Sequence, residues 1–293
     1  MAERGRDAVS IPGLLKMKRG GEKIGMLTAY DYPTARILDR AGADALLVGD
    51  SLGMVVLGYD STVYVTLEDM IHHTRAVARG ADRALVISDL PFGSYEEGPV
   101  QALRSAVRLV KEGGSTAVKL EGGAEIAPSV RAIAEAGVPV VGHVGLTPQS
   151  SASFGGFRVR AKTAIEARDL VENARALEAA GAFMVVAEAV PAPVGELLSR
   201  SLEVPVIGIG AGSGCDGQVL VSTDMLGIQD ELTPRYLKRY AALSGDMERA
   251  VSSYLSEVKK GVFPGEEHVY GMEAGEREKL EEFEEFEEVK GGS

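Results

Sequence analysis

Asp50, Asp89, Glu121, His143 and Glu188 each lie at or near the end of a short apolar run. Lys119 precedes Glu121 by two positions inside "TAVKLEGG", residues 116–123. In an extended strand, residues i and i+2 share one face. An ammonium and a carboxylate would then stand together on one side of a buried segment. Either they neutralise each other as an ion pair, or Lys119 holds an anionic substrate oxygen or stabilises an enolate. Asp50, Asp89 and Glu121 make a natural trio, and three carboxylates repel unless something positive sits among them. Oxygen-only donors suit a hard, Mg2+-like cation. Glu188 belongs to a different run, where Phe183, Val185 and Val186 would raise its pKa towards that of a proton shuttle. Each residue taken singly has a blander account as a helix N-cap or loop residue. The recurrence of ionisable groups at successive run ends is what points to chemistry.

Other candidates carry less. His72 and His73 suit surface or packing roles, and no Cys or His spacing matches structural zinc. "GIGAGSG", 208–214, has Gly-x-Gly spacing but no Walker lysine and no clear helix after it. Its glycines suit close approach of a ligand or of neighbouring backbone. Cys215 has no local base, so it reads as a packing residue rather than a nucleophile.

The elements that must position these groups are strands alternating with helices. Strands are expected at 24–30, 45–50, 84–89, 116–121, 138–144, 183–188, 204–210 and 218–222. They are β-branched and apolar throughout, as in parallel strands covered on both faces. Thr66 with Asp69, and Thr163 with Glu166, resemble capping boxes that open helices over 67–79 and 164–180. Helices end at Ala41-Gly42, Gly113-Gly114, Ala136-Gly137 and Ala180-Gly181, where glycine permits a left-handed turn. Eight strands in about 250 residues predict a (β/α)8 TIM barrel, whose active sites gather at the C-terminal strand ends. A doubly wound open sheet is the alternative. Residues 211–217 are too few for a crossover helix, which makes the eighth strand the irregular one.

Composition bounds the rest. The formal charge is −12, and residues 272–293 hold nine acidic and three basic residues, half of that total. This argues against nucleic-acid binding. The acidic tail suits a solvating, disordered appendage, or a short docking helix through Leu280, Phe283, Phe286 and Val289. One cysteine, no long apolar run and no signal-peptide core favour a cytoplasmic protein with no membrane span.

"MLTAYDYPTARILDRAGADALLVGDSLGMVVLGYDSTVYVTLEDMIHHTRAV", "SDLPFGSY", "AVKLEGG", "GHVGLTPQS", "VVAEAVP" and "IGIGAGSGCDGQVLV" resemble blocks of the ketopantoate (3-methyl-2-oxobutanoate) hydroxymethyltransferase family over residues 11–271. The resemblance implies a barrel of the phosphoenolpyruvate/isocitrate-lyase type over residues 1–271, with 272–293 as a tail. It implies a homo-oligomer, a decamer or an octamer. The implied reaction joins 3-methyl-2-oxobutanoate to the one-carbon unit of 5,10-methylenetetrahydrofolate through a metal-stabilised enolate. The product is 2-dehydropantoate, on the way to pantothenate and coenzyme A. Carried over by position, the ligands of Mg2+ or another divalent metal fall on Asp50, Asp89 and Glu121. Oxoacid contacts fall on Asp50, Ser51, Asp89 and Lys119, with His143 orienting the substrate, and the proton acceptor falls on Glu188. Two alternatives are a folate-independent metal lyase on a related 2-oxo acid and a non-catalytic oxoacid- or coenzyme-A-binding module. The filled catalytic positions count against the second.

Overall fold

Eight parallel strands close on themselves in sequence order, with β8 returning to pair with β1. In this computed structural model, residues 8–150, 158–229 and 234–282 are described. The strands are β1 (Ile24–Thr28), β2 (Ala45–Val48), β3 (Leu85–Asp89) and β4 (Ala117–Glu121), then β5 (Val140–Gly145), β6 (Ala182–Glu188), β7 (Val206–Ile209) and β8 (Gly217–Leu220). The closed barrel displaces the open-sheet alternative. The irregular eighth strand is present, and no helix separates it from β7.

The helices in chain order are α1 (Ile11–Gly20), α2 (Tyr32–Ala41), α3 (Leu52–Val55), α4 (Leu67–Gly80) and α5 (Pro99–Arg108). They continue with α6 (Ala127–Glu135), α7 (Ala164–Ala179), α8 (Ala192–Ser201), α9 (Ser222–Met225) and α10 (Leu243–Lys259). Both capping boxes form: Thr66 and Asp69 close the start of α4, and Thr163 and Glu166 that of α7. Each satisfies two backbone donors that a helix start leaves without partners. Gly42 ends α2 at φ 98°, a backbone conformation that a side chain would strain.

Strand residues alternate between two buried layers, as the two-residue period requires. Leu46, Val48, Val86, Val118 and Leu120 point outwards and pack with Leu38, Val77, Ile133 and Leu177 of the surrounding helices. Met26, Leu47, Leu85, Ile87 and Val141 point inwards, and Leu14 of α1 joins them. The inward layer is apolar up to the last turn of the strands. Beyond it the same alternation delivers Asp89, Lys119, Glu121, His143 and Glu188. An apolar plug therefore carries a polar mouth.

The chain divides into two compact units, Met1–Ala241 and Ala242–Ser293. This boundary precedes the expected one at 271/272, because the barrel's own elements are complete before α10 begins. α10 has no buried residue. Of the expected apolar stripe in the tail, Leu280 is exposed, and Phe283, Phe286 and Val289 lie outside the described residues. Among the described residues, no helix is long and apolar enough to cross a membrane.

Candidate active site

Strand register decides which charged groups meet at the mouth. Asp89 of β3 lies opposite Lys119 of β4, and Glu121 of β4 lies opposite His143 of β5. Neighbouring strands are about 4.8 Å apart, whereas i and i+2 along one strand are more than 6 Å apart. Cross-strand partners therefore win. Lys119 Nζ is 3.2 Å from Asp89 Oδ1 and 3.2 Å from His143 Nδ1. The ion pair of Lys119 is with Asp89, so of the two alternatives the direct pairing of Lys119 with Glu121 is not the one formed. Glu121 Oε1 instead lies 3.2 Å from His143 Nδ1. The other ring nitrogen, Nε2, is 3.2 Å from Glu188 Oε2. One imidazole thus stands at ion-pair distance from the carboxylates of both β4 and β6, its Nε2 making no hydrogen bond.

Asp50 lies two residues past β2, at the turn into α3. Its backbone N–H donates to Asp89 Oδ2 at 3.1 Å, which ties the ends of β2 and β3 together. Ser51 begins α3, and its Oγ is 2.9 Å from the Tyr30 hydroxyl. Asp31, at the end of the first apolar run, caps α2 through the Thr34 N–H and takes no part in the mouth.

Burial sets the electrostatics. Asp50, Asp89, Lys119, Glu121 and His143 are all at most 6% exposed. Burial, reinforced by repulsion from Asp89 and Glu121, holds the Asp50 carboxyl well above the ordinary range. Burial likewise raises Asp89, against the opposing pull of Lys119. For Lys119, burial favours the neutral amine, but Asp89, Glu121 and Asp50 outweigh it and raise its pKa. Burial and Lys119 push His143 down, yet the carboxylates of Glu121 and Glu188 lift it to about 9. Burial also disfavours ionised Glu121, but His143 and Lys119 bring it below its usual value.

Two neutral residues absent from the candidates above complete the site. Gln149 Nε2 donates to Asp50 Oδ2 at 2.8 Å and to the Leu90 carbonyl at 2.9 Å. Its backbone N–H donates to Glu121 Oε2 at 3.1 Å, and its Oε1 accepts from the Tyr95 hydroxyl at 2.5 Å. Neither residue is ionised or at a strand end, so charge placement does not find them. The only signal is that both fall within the blocks "GHVGLTPQS" and "SDLPFGSY".

No group of three or more His, Cys, Asp or Glu side chains among the described residues is gathered as a ready metal cage. Lys119, His143 and Gln149 are interleaved between the carboxylates instead. The donor chemistry nonetheless fits a hard divalent cation. Three carboxylates converge on one buried mouth, and Asp89 Oδ1 is buried without a hydrogen bond, its contact with Lys119 being out of line for one.

The neighbouring features are simpler. A cavity of about 590 Å³ opens beside Gly122, Val144, Gly145, Arg160 and Thr163, next to the carboxylates rather than over them. In the glycine-rich stretch, a β-carbon on Gly214 would come within 2.6 Å of Glu196 in α8, and one on Gly210 within 2.8 Å of Tyr236. Close approach of the protein itself accounts for those glycines. Cys215 is fully buried, and burial lifts its thiol to about 11, consistent with a packing role. His73 Nδ1 lies 2.7 Å from the Tyr30 carbonyl oxygen.

The family model for ketopantoate hydroxymethyltransferase matches residues 8–266. A 3-methyl-2-oxobutanoate hydroxymethyltransferase of Oleidesulfovibrio alaskensis is 56% identical over 268 residues, covering 92% of this chain and 93% of the relative. One from Syntrophus aciditrophicus is also 56% identical, covering 87% and 93%. Among solved structures, 2,3-dimethylmalate lyase, a PEP mutase/isocitrate lyase superfamily member, matches with a TM-score of 0.55 at 15% identity, over 89% of this chain and 91% of that one. A phosphoenolpyruvate phosphomutase from Streptomyces platensis matches with a TM-score of 0.54 at 16% identity, over 94% and 98%. The barrel fold is thus shared with those two enzymes, and by sequence this chain belongs to the ketopantoate hydroxymethyltransferase family.

Proposed function

We propose that this transferase joins 3-methyl-2-oxobutanoate to the one-carbon unit of 5,10-methylenetetrahydrofolate, with water supplying the hydroxyl and tetrahydrofolate released, giving 2-dehydropantoate for pantothenate and coenzyme A synthesis. The observation that carries this is one barrel mouth, in a chain 56% identical to curated enzymes of that name, holding three carboxylates, a buried lysine and a separate glutamate. Asp50, Asp89 and Glu121 would hold the divalent cation, with Mg2+ the first candidate. When bound, such a cation stabilises negative charge developing on the 2-oxo oxygen. Lys119 keeps a fixed positive charge beside the position of the substrate's anionic oxygens. Asp50, Ser51 and Asp89 line the same mouth and orient the oxoacid.

Glu188 takes the proton from C3, which becomes the nucleophile towards the one-carbon unit. His143 contacts Glu188 at 3.2 Å and keeps that carboxylate facing the mouth. The apolar plug beneath closes the site from below.

The deciding experiment is formation of 2-dehydropantoate with and without divalent metal, across several one-carbon donors. Deuterium wash-out from C3 in the absence of folate, with no carbon–carbon bond made in its presence, would identify a lyase instead. We further propose a cytoplasmic homo-oligomer, a decamer or an octamer. Exposed Ile37, Val100 and Ile165 are candidate contact residues, and light scattering of the purified protein counts the subunits.

A further inference from the structure

Each carboxylate of the trio has one oxygen tied to a protein donor. Asp50 Oδ2 accepts from Gln149 Nε2 at 2.8 Å, Asp89 Oδ2 from the Asp50 N–H at 3.1 Å, and Glu121 Oε2 from the Gln149 N–H at 3.1 Å. Two of the three ties come from Gln149. Its amide orientation follows from its partners. The Leu90 carbonyl can only accept, so the nitrogen lies on that side and also faces Asp50. The Tyr95 hydroxyl then donates to Oε1. Gln149 and Tyr95 are each 5% exposed and Leu90 is fully buried. Such a satisfied buried network is rigid, because breaking any link strands a polar group.

What remains to each carboxylate is one oxygen. Asp89 Oδ1 is buried with no hydrogen bond and Lys119 as its ion-pair partner, and Glu121 Oε1 has His143 as its ion-pair partner. A small cation of the Mg2+ type accepts one oxygen per carboxylate in a near-octahedral shell. Ca2+ takes six to eight oxygens and often draws both from one carboxylate. We infer that Gln149 is a cation-selectivity residue. By occupying Oδ2 of Asp50 with its side chain and Oε2 of Glu121 with its backbone, it keeps both as single-oxygen donors and disfavours a larger cation. This rests on the divalent-cation site proposed above.

Gln149→Met keeps the length of the side chain and the backbone tie to Glu121 but frees Oδ2 of Asp50. Full-length wild type and variant are titrated calorimetrically with Mg2+ and with Ca2+, without substrate, and circular dichroism checks the fold. The ratio of Ca2+ to Mg2+ dissociation constants is expected to fall about tenfold in the variant, the worth of one hydrogen bond to a charged group. Tyr95→Phe, which removes the hydroxyl that holds Oε1 and also contacts the Glu121 carbonyl while leaving both Gln149 ties in place, should lower the ratio by less. An unchanged ratio in folded Gln149→Met overturns the inference. If that variant fails to fold, an unchanged ratio in Tyr95→Phe does the same. A wild type that takes up neither cation removes the cation site itself, which is a different failure and is seen before any variant is made.

Discussion

The two ends of the barrel each hold a lysine–aspartate pair, and they treat it in opposite ways. At the N-terminal end, Asp216 accepts from Lys18 Nζ at 2.8 Å, Ser199 Oγ at 2.7 Å and the Val206 N–H at 2.8 Å, while Lys18 also donates to the Ser199 carbonyl. At the C-terminal mouth, Lys119 and Asp89 stand 3.2 Å apart, Asp89 Oδ1 has no hydrogen bond, and two more carboxylates crowd the pair. The first arrangement is finished: one acid, three donors, and three elements joined. The second is frustrated by excess negative charge. Stability is served where polar groups are saturated, and chemistry is available where they are not.

The contrast is broken most forcefully at the mouth. Glu188→Gln should cut C3 proton exchange by about 10²–10⁴-fold, the span of general-base catalysis. Metal and oxoacid binding should persist; exchange at the wild-type rate would remove Glu188 from the role of base. Asp89→Asn deletes one charge beside the proposed cation and should weaken metal affinity by about 10²-fold or more at an effective dielectric near 20. An unchanged calorimetric isotherm would count against the trio. Asp216→Ala tests the other end. It strands Lys18 and the Val206 N–H, and should lower unfolding free energy by about 2 kcal/mol in denaturant melts while sparing metal affinity. A variant that loses metal but not stability would reverse the assignment of the two ends. The smallest effect belongs to removal of residues 272–293, which should leave turnover at the wild-type rate; a steep loss would give the acidic segment a part in the site.

Much of this was visible in the chain because parallel barrels deliver strand ends to one place. Apolar runs bounded by Gly or Pro located the strands, and their terminal Asp, Glu and His named the mouth. What charge and spacing alone did not supply is pairing across strands. That Lys119 meets Asp89 rather than Glu121 depends on the register between β3 and β4, which no single run encodes. Asp31 also ends an apolar run, yet it accepts from the N–H of Thr34 three residues on and is a helix cap. Gln149 and Tyr95 are neutral loop residues whose importance comes from what they reach, and their sequence neighbours do not reveal that. The unit boundary at 241/242 was hidden for a related reason: helical patterning continues past it, and burial does not.

The short connection from β7 to β8 has a kinetic consequence. Those strands pair only through Ile207–Gly217 and Gly208–Gln218, whereas β5 and β6 run together from Val140–Ala182 to Gly145–Glu188. Cys215, the single thiol of the chain, is fully buried two residues before that brief ladder. Its Sγ packs beside Gly195 of α8 as well as Gly208 of β7, so a thiol reagent reaches it only when that local packing opens. Its labelling rate therefore times a local opening of the barrel wall around α8, β7 and β8, separately from global unfolding.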